Sequence, residues 1–380
     1  MIVMTPTPTR TLALLALLMP ALVLSAQTTP QANGQAAPYN NIAPVQEAWQ
    51  GGWSAPDAQR DAETWKALSE ARPADVNAQF NWFRSERNAR LGNNNGRLLE
   101  QDNAQLEAIA ERIRNTAPGS FEQHLSGYYT AFPDRAAFAE LEAASVAGPD
   151  RPELILPMLV RAHLNGDKAG QDRWSAQLEQ RGGLAPALSD VAGDLLLSTG
   201  KDGILITNGD MDGAPALAQQ RLHDQRRDVL LVDQRLLADA SYRQRIWKET
   251  KASGPVPAPG PVFARTLSMA TDRPVYLALS LDRAWFDAFP GQLHATGIAF
   301  AVGATAPDTH VLAERWERMK KTTAAGPLSR NYLLPGAVLL RAYRASGDEA
   351  RAARLEYELR GLAAKLGAVQ DLIKAGVLAH

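Results

Sequence analysis

Cysteine is absent from this chain of 380 residues. No disulfide, thiolate metal site or cysteine nucleophile is therefore available, and the fold must be held by buried apolar area. The same absence excludes lipoprotein acylation, which needs a cysteine at the cleavage point. Charge of one sign is also missing: 40 Lys and Arg stand against 41 Asp and Glu, a net charge of −1. That balance offers no general attraction to nucleic acid or anionic lipid, so neither is expected as a partner. Finally, no apolar run is long enough to cross a bilayer. The longest, residues 12–23, spans about a dozen residues where a spanning helix needs about twenty, so no permanent membrane anchor is expected.

That short run nevertheless has a use. Arg10 precedes it, Pro20 interrupts it, and Leu24, Ser25, Ala26 and Gln27 follow with small residues, which is the plan of a cleavable signal peptide over residues 1–26. The expectation is export to the periplasm, or secretion beyond it. Residues 27–48 are mainly Gln, Asn, Ala, Pro and Thr and read as a disordered tether, because they offer little apolar surface to repay ordering.

Helical spacing then sets in. Val76, Phe80 and Phe83 recur at i, i+4, i+7, and Leu106, Ile109, Ala110 and Ile113 repeat the pattern one helix later. Phe138, Leu141 and Ala144 mark another helix closed by Gly148-Pro149. Residues 154–164 and 173–178 form a pair turned at Gly166-Asp167, a tetratricopeptide-like hairpin. A similar pair follows near the C-terminus, where Leu339, Leu340 and Tyr343 lead through Gly347-Asp348 to Ala352, Leu355 and Leu359. No regular 34-residue period joins the copies, which argues against a continuous superhelix. Trp49, Trp53, Trp65 and Trp82 are expected to fill the helical core.

Between the helical parts the period shortens. Residues 204–206, 229–232, 275–279 and 298–302 are short apolar runs, and a helix-like stretch at 214–225 separates the first two. This is a βαβ signature. The expected fold is mixed α/β: helical hairpins at 49–200 and 304–380 flanking an inserted α/β sandwich at 201–303 with a mainly parallel sheet. The proline-rich stretch 254–261 reads as an exposed extended spacer.

The most specific local feature is Thr207-Asn208-Gly209-Asp210-Met211-Asp212, directly after the first strand. Loops at the carboxyl ends of strands face the crevice where α/β sheets bind ligands. Asp210 and Asp212 are candidate ligands for a divalent cation, with Asn208 supplying an amide oxygen, or acceptors for sugar hydroxyls. An equally physical reading makes Asn208-Gly209 a turn and Asp212 a helix N-cap. No other cofactor is implied. Arg227 and Arg273 are candidate anion ligands. Ser198 and Lys201 have a catalytic spacing but flank a helix end at Gly200, and the six histidines form no metal-binding pair. Trp285, Phe286 and Phe289 with Tyr276 suit either a stacking platform or a helix covering the sheet, and the second is favoured.

Three segments in order, residues 207–215, Arg227-Asp228-Val229, and Asp272-Arg273-Pro274-Val275-Tyr276 followed by Gly297-Ile298-Ala299-Phe300, resemble the exported C-terminal part of bacterial membrane glycosyltransferases of the protein O-mannosyltransferase type. The resemblance covers residues 200–365. It implies an α/β unit followed by tetratricopeptide-like helices. In that family the transfer step belongs to a membrane region with no counterpart here, so the resemblance does not imply a transferase. The acidic loop matches at Thr207, Asn208, Gly209, Asp210 and Asp212 but has Met211 for Asn and Gly213 for Thr. The chain is also similar to stand-alone exported helical-repeat proteins. The functional expectation is a non-enzymatic binding or scaffold protein engaging an envelope protein or glycan. A metal-assisted carbohydrate-active enzyme built on Asp210 and Asp212 is the alternative.

Overall fold

A computed structural model of the chain describes residues 42, 44–94, 98–305 and 308–379. The expected signal peptide and most of the expected tether lie outside these residues. The end of the tether does not: Val45, Glu47 and Ala48 are buried, and Ala48–Gln50 form a 3-10 turn. The ordered chain therefore begins earlier than composition suggests, because Glu47 and Val45 find partners far along the sequence.

Among the described residues eight α-helices come first: α1 (Ala55–Ala71), α2 (Val76–Asn93), α3 (Glu100–Thr116), α4 (Phe121–Ala131), α5 (Arg135–Ala147), α6 (Ile155–Asn165), α7 (Lys168–Gln180) and α8 (Pro186–Leu197). Strand β1 (Ile204–Thr207), α9 (Gly213–His223), β2 (Leu230–Asp233), α10 (Ala240–Glu249), α11 (Pro261–Ala270), β3 (Val275–Ala278), α12 (Arg283–Asp287), β4 (Leu293–Ala295) and β5 (Ala299–Val302) build the sheet region. Helices α13 (Thr309–Arg318), α14 (Leu333–Ala345), α15 (Glu349–Lys365) and α16 (Val369–Lys374) close the chain. The class is mixed α/β with helical hairpins, as the sequence indicates.

The two hairpins owe their likeness to one device. Gly166 and Gly347 adopt left-handed backbone at φ 68° and 72°, ending α6 and α14 without a Cβ clash. The aspartate after each glycine then caps the next helix, Asp167 accepting from Gly170 N and Asp348 from Arg351 N. Helix α2 starts in the same way, with Asp75 accepting from Ala78 N at 3.1 Å.

The sheet runs β2-β1-β3-β5-β4. It is parallel across β2, β1 and β3 and antiparallel from β3 through β5 to β4. Strand β4 has only three residues and no wholly apolar run, so pattern alone misses it. Strands β1 and β3 are buried throughout, as expected of parallel strands covered on both faces. The α/β region is not a separate sandwich: α9 packs on α7 and α8, and one apolar core continues from Trp49 to Leu378. Trp285, Phe289 and Tyr276 are buried, and Phe286 meets Phe300 edge-on. The aromatic cluster thus covers the sheet and is no stacking platform. Trp49 and Trp65 are buried in the core, whereas Trp53 and Trp82 are only half-buried against it.

A titratable contact joins α6 to α10. Tyr242 OH accepts from Asp233 N at 3.1 Å and lies 3.0 Å from His163 Nε2, so its own proton is directed to a neutral imidazole. Burial lowers the His163 pKa to about 4; Asp233 opposes the shift and Arg245 adds to it. A histidine with a depressed folded value stabilises the fold fully above the unfolded value near 6.5, and the contribution is lost as pH falls toward 4. Between pH 7 and pH 4.5 the wild type is expected to lose about 2 kcal/mol more unfolding free energy than His163→Gln. Urea titrations at both pH values check this, and matching pH profiles contradict it.

Candidate functional site

The chain steps from β1 to β2 on one side of the sheet and then returns past β1 to β3 on the other. The loops leaving the carboxyl ends of β1 and β3 therefore flank the point where strand order reverses, the place where open α/β sheets hold ligands. A cavity of about 430 Å³ lies there. Its walls come from distant parts of the chain: Ala48 and Trp53, then Arg87, Asn88 and Leu91 of α2. Residues 208 and 210–212, Arg235, residues 279–283 and part of the 3-10 segment Gly326–Tyr332 complete it.

The acidic loop divides into two roles. Asp212 is 2 % exposed. Its Oδ1 accepts from Gly209 N (2.7 Å) and Gly213 N (2.6 Å), and its Oδ2 accepts from Asn208 N (2.9 Å) and the Ser280 hydroxyl. Burial raises its pKa, and these four hydrogen bonds pull it back. Asp212 is thus the N-cap of α9 and ties the loop after β1 to the loop after β3. Gly209 has φ 125°, and a Cβ there would lie 2.2 Å from Arg235 Cζ. Only glycine lets that guanidinium lie against the turn. Thr207 is buried at the end of β1 and donates to Val232 O at 3.3 Å.

Asp210 serves differently. Its carboxylate meets Arg235 Nη1 at 2.7 Å and Arg87 Nη2 at 3.7 Å. Arg235 also binds Asp233 at 2.7 Å. Burial works against the Arg235 charge, but the two aspartates outweigh it and hold its pKa well above the ordinary value. Arg87 lies over the Tyr129 ring at 4.1 Å and 3.5 Å from Glu47 Oε2. Glu47 itself binds Arg84 Nε at 2.6 Å. Neighbouring Asn88 donates to Gln46 O at 2.7 Å. The buried charges thus run from the segment before α1, through α2, to the carboxyl edge of the sheet.

Both carboxylates proposed for a cation have committed partners, Asp212 in the turn and cap and Asp210 with arginines. Among the described residues no group of three His, Asp or Glu side chains is placed to hold a metal ion. Arg227 and Arg273 do not join the loop. They precede β2 and β3, at the amino edge of strands that run parallel to β1, one strand length, about 10 Å, from the edge that carries the loop. Arg273 donates to Asp202 O, Gly203 O and Asp228 O, stapling strand starts together. Arg227 donates to Gln220 O and Arg221 O and pairs with Asp224 at 2.6 Å. Ser198 donates to Asp194 O and accepts from Ile298 N, so its spacing from Lys201 has a structural explanation.

The residues that sequence reasoning missed are Arg87, Asn88 and Arg235, together with Trp53 assigned to the wrong place. The run Arg84-Ser85-Glu86-Arg87-Asn88 is buried throughout. A signal was present, since Phe80, Phe83, Arg84, Arg87, Asn88 and Leu91 share one helical face. Polar residues on an apolar face indicate a buried polar network or a site.

No protein-family model matches the chain, and neither the curated proteins nor the solved structures yield a match. Among the described residues no helix is long and apolar enough to cross a membrane.

Proposed function

We propose that this chain is a non-catalytic binding protein for a small hydroxylated ligand of the sugar class, acting after export into the bacterial envelope. The observation that supports it most is the convergence of Arg87, Asn88, Asp210 and Arg235 beside Trp53 in the cavity at the strand-order reversal. Its volume falls within the usual range for small-molecule sites. Guanidinium, amide and carboxylate groups present donors and acceptors in pairs that match adjacent hydroxyls, and an indole face suits the C–H face of a sugar ring. Arg87 and Asn88 are mounted on the rigid α2, which favours binding without a large rearrangement. The described lining contains no His, Lys, Cys or Tyr, and Ser280, its hydroxyl, is engaged by Asp212. The helical hairpins act as the frame that sets α2 and the 3-10 segment against the sheet. Export rests on the apolar run at residues 12–23.

Calorimetric titration of the purified protein with monosaccharides and short glycans tests this. At least one sugar is expected to bind with a dissociation constant below about 1 mM, near −4 kcal/mol. Asp210→Ala should weaken the binding of a neutral sugar tenfold or more with little loss of stability, because Arg235 keeps Asp233. A panel without any binder contradicts the reading.

A further inference from the structure

The ligand of this cavity carries a carboxylate, we propose, and Arg87 is its seat; the inference rests on the sugar-site reading above. Arg84, Arg87 and Arg235 compete for nearby acids, and Arg87 is the one left without a hydrogen-bonded carboxylate. Glu47 is held by Arg84 Nε at 2.6 Å and is 3.5 Å from Arg87. Asp210 is held by Arg235 at 2.7 Å and is 3.7 Å from Arg87. The Arg87 side chain is 8 % exposed, and its Nε and Nη1 have no hydrogen-bond acceptor. A buried guanidinium is costly unless its donors are engaged, and this one lines a cavity large enough for a ligand.

Asn88, beside it on α2, has an unpaired Oδ1 that suits a ligand hydroxyl. The other arginines of the walls are committed: Arg235 to Asp210 and Asp233, Arg283 to Asp287 at 3.3 Å and Arg330 to Asp371 at 3.7 Å, so Arg87 is the one with guanidinium donors to offer. The arrangement fits one negative charge on a hydroxylated ring, the chemistry of a hexuronic acid. A planar carboxylate takes two parallel hydrogen bonds from guanidinium, which a hydroxyl cannot reproduce. Asp210, 3.7 Å from Arg87, limits the affinity for an acid by like-charge repulsion.

The test is parallel titration of the purified protein with glucuronate and glucose, repeated on Arg87→Gln and Asp210→Asn. Glucuronate is expected to bind at least tenfold more tightly than glucose. Arg87→Gln should weaken glucuronate binding at least tenfold more than glucose binding and so abolish the preference, with an unchanged far-ultraviolet circular dichroism spectrum reporting an intact fold. If Arg87→Gln does not fold, Arg87→Lys is the substitute: it retains charge, loses the fork, and should reduce the preference severalfold. Asp210→Asn should tighten glucuronate binding and leave it more selective. Glucose bound as tightly as glucuronate, or weaker glucuronate binding by Asp210→Asn, overturns the proposal and leaves the sugar site standing. If neither sugar binds and no other sugar does, the site reading falls with it.

Discussion

Replacing Asp212 by alanine is expected to lower stability by about 3 kcal/mol and to lower the melting midpoint by several degrees. The substitution strips an acceptor from the backbone N–H groups of Asn208, Gly209 and Gly213 and from the Ser280 hydroxyl. An unmet buried donor costs about 1–3 kcal/mol, and loss of an N-cap about 1 kcal/mol. The adjoining cavity lets water satisfy part of the deficit, so the sum is not reached. Asp210→Ala should cost about 1 kcal/mol or less, since each of its arginines retains another carboxylate. Equilibrium urea unfolding of both variants decides the matter. Equal losses would contradict the division of the loop into a structural carboxylate and a ligand-facing one.

Glu47→Ala is expected to have an effect at least as large, about 3–5 kcal/mol. Glu47 is 1 % exposed. Its removal leaves Arg84 buried with Glu153 as its remaining carboxylate, 3.7 Å away, and takes from Arg87 the nearer of its two acids. Arg84 Nη2 also donates to Val45 O at 3.0 Å, so the segment at residues 45–50 should loosen and one wall of the cavity with it. The double variant Glu47→Ala/Arg84→Met should be more stable than Glu47→Ala alone, because the unpaired charge disappears with its partner. Unfolding free energies of the three proteins check this. A double variant that simply adds the two losses would show that the pair is not coupled.

What the sequence made legible follows from the range of the interactions. Helices α2, α3, α5, α6, α7, α14 and α15 were readable because apolar spacing and the Gly-Asp device are local. Strands β1, β2, β3 and β5 were readable because they are short apolar runs between turns. Helix α1 was missed because its apolar face is mostly alanine, with Ala58, Ala62 and Trp65 buried, which gives weak contrast. In the site, the position of the loop after β1 and the N-cap role of Asp212 were readable, since both depend on residues within a few positions. The partners of Asp210 were not. Arg87 precedes the loop by more than a hundred residues, and Arg235 follows a different strand, so nothing in the local pattern joins them. Arg227 and Arg273 were misplaced for a related reason. Sequence order put them beside strands, but only the parallel register shows that they stand at the amino edge.

The hairpins and Asp194 contribute by positioning. Asp194 accepts from the backbone N–H groups of Lys320 and Lys321 and from Tyr332 OH at 2.7 Å. It thereby fixes the 3-10 segment whose residues 327, 328, 330 and 331 close the cavity.

The most direct test of the central claim, that this cavity is a ligand site, is a thermal melt with and without a saturating sugar acid, compared with Asn331→Trp. Asn331 lines the cavity, and an indole there fills space that the ligand needs. A ligand at a hundred times its dissociation constant adds about 2.7 kcal/mol, so the wild type should melt several degrees higher while Asn331→Trp stays at its own midpoint. Equal shifts in both proteins would place binding elsewhere, and no shift in the wild type with any sugar or sugar acid would contradict the account.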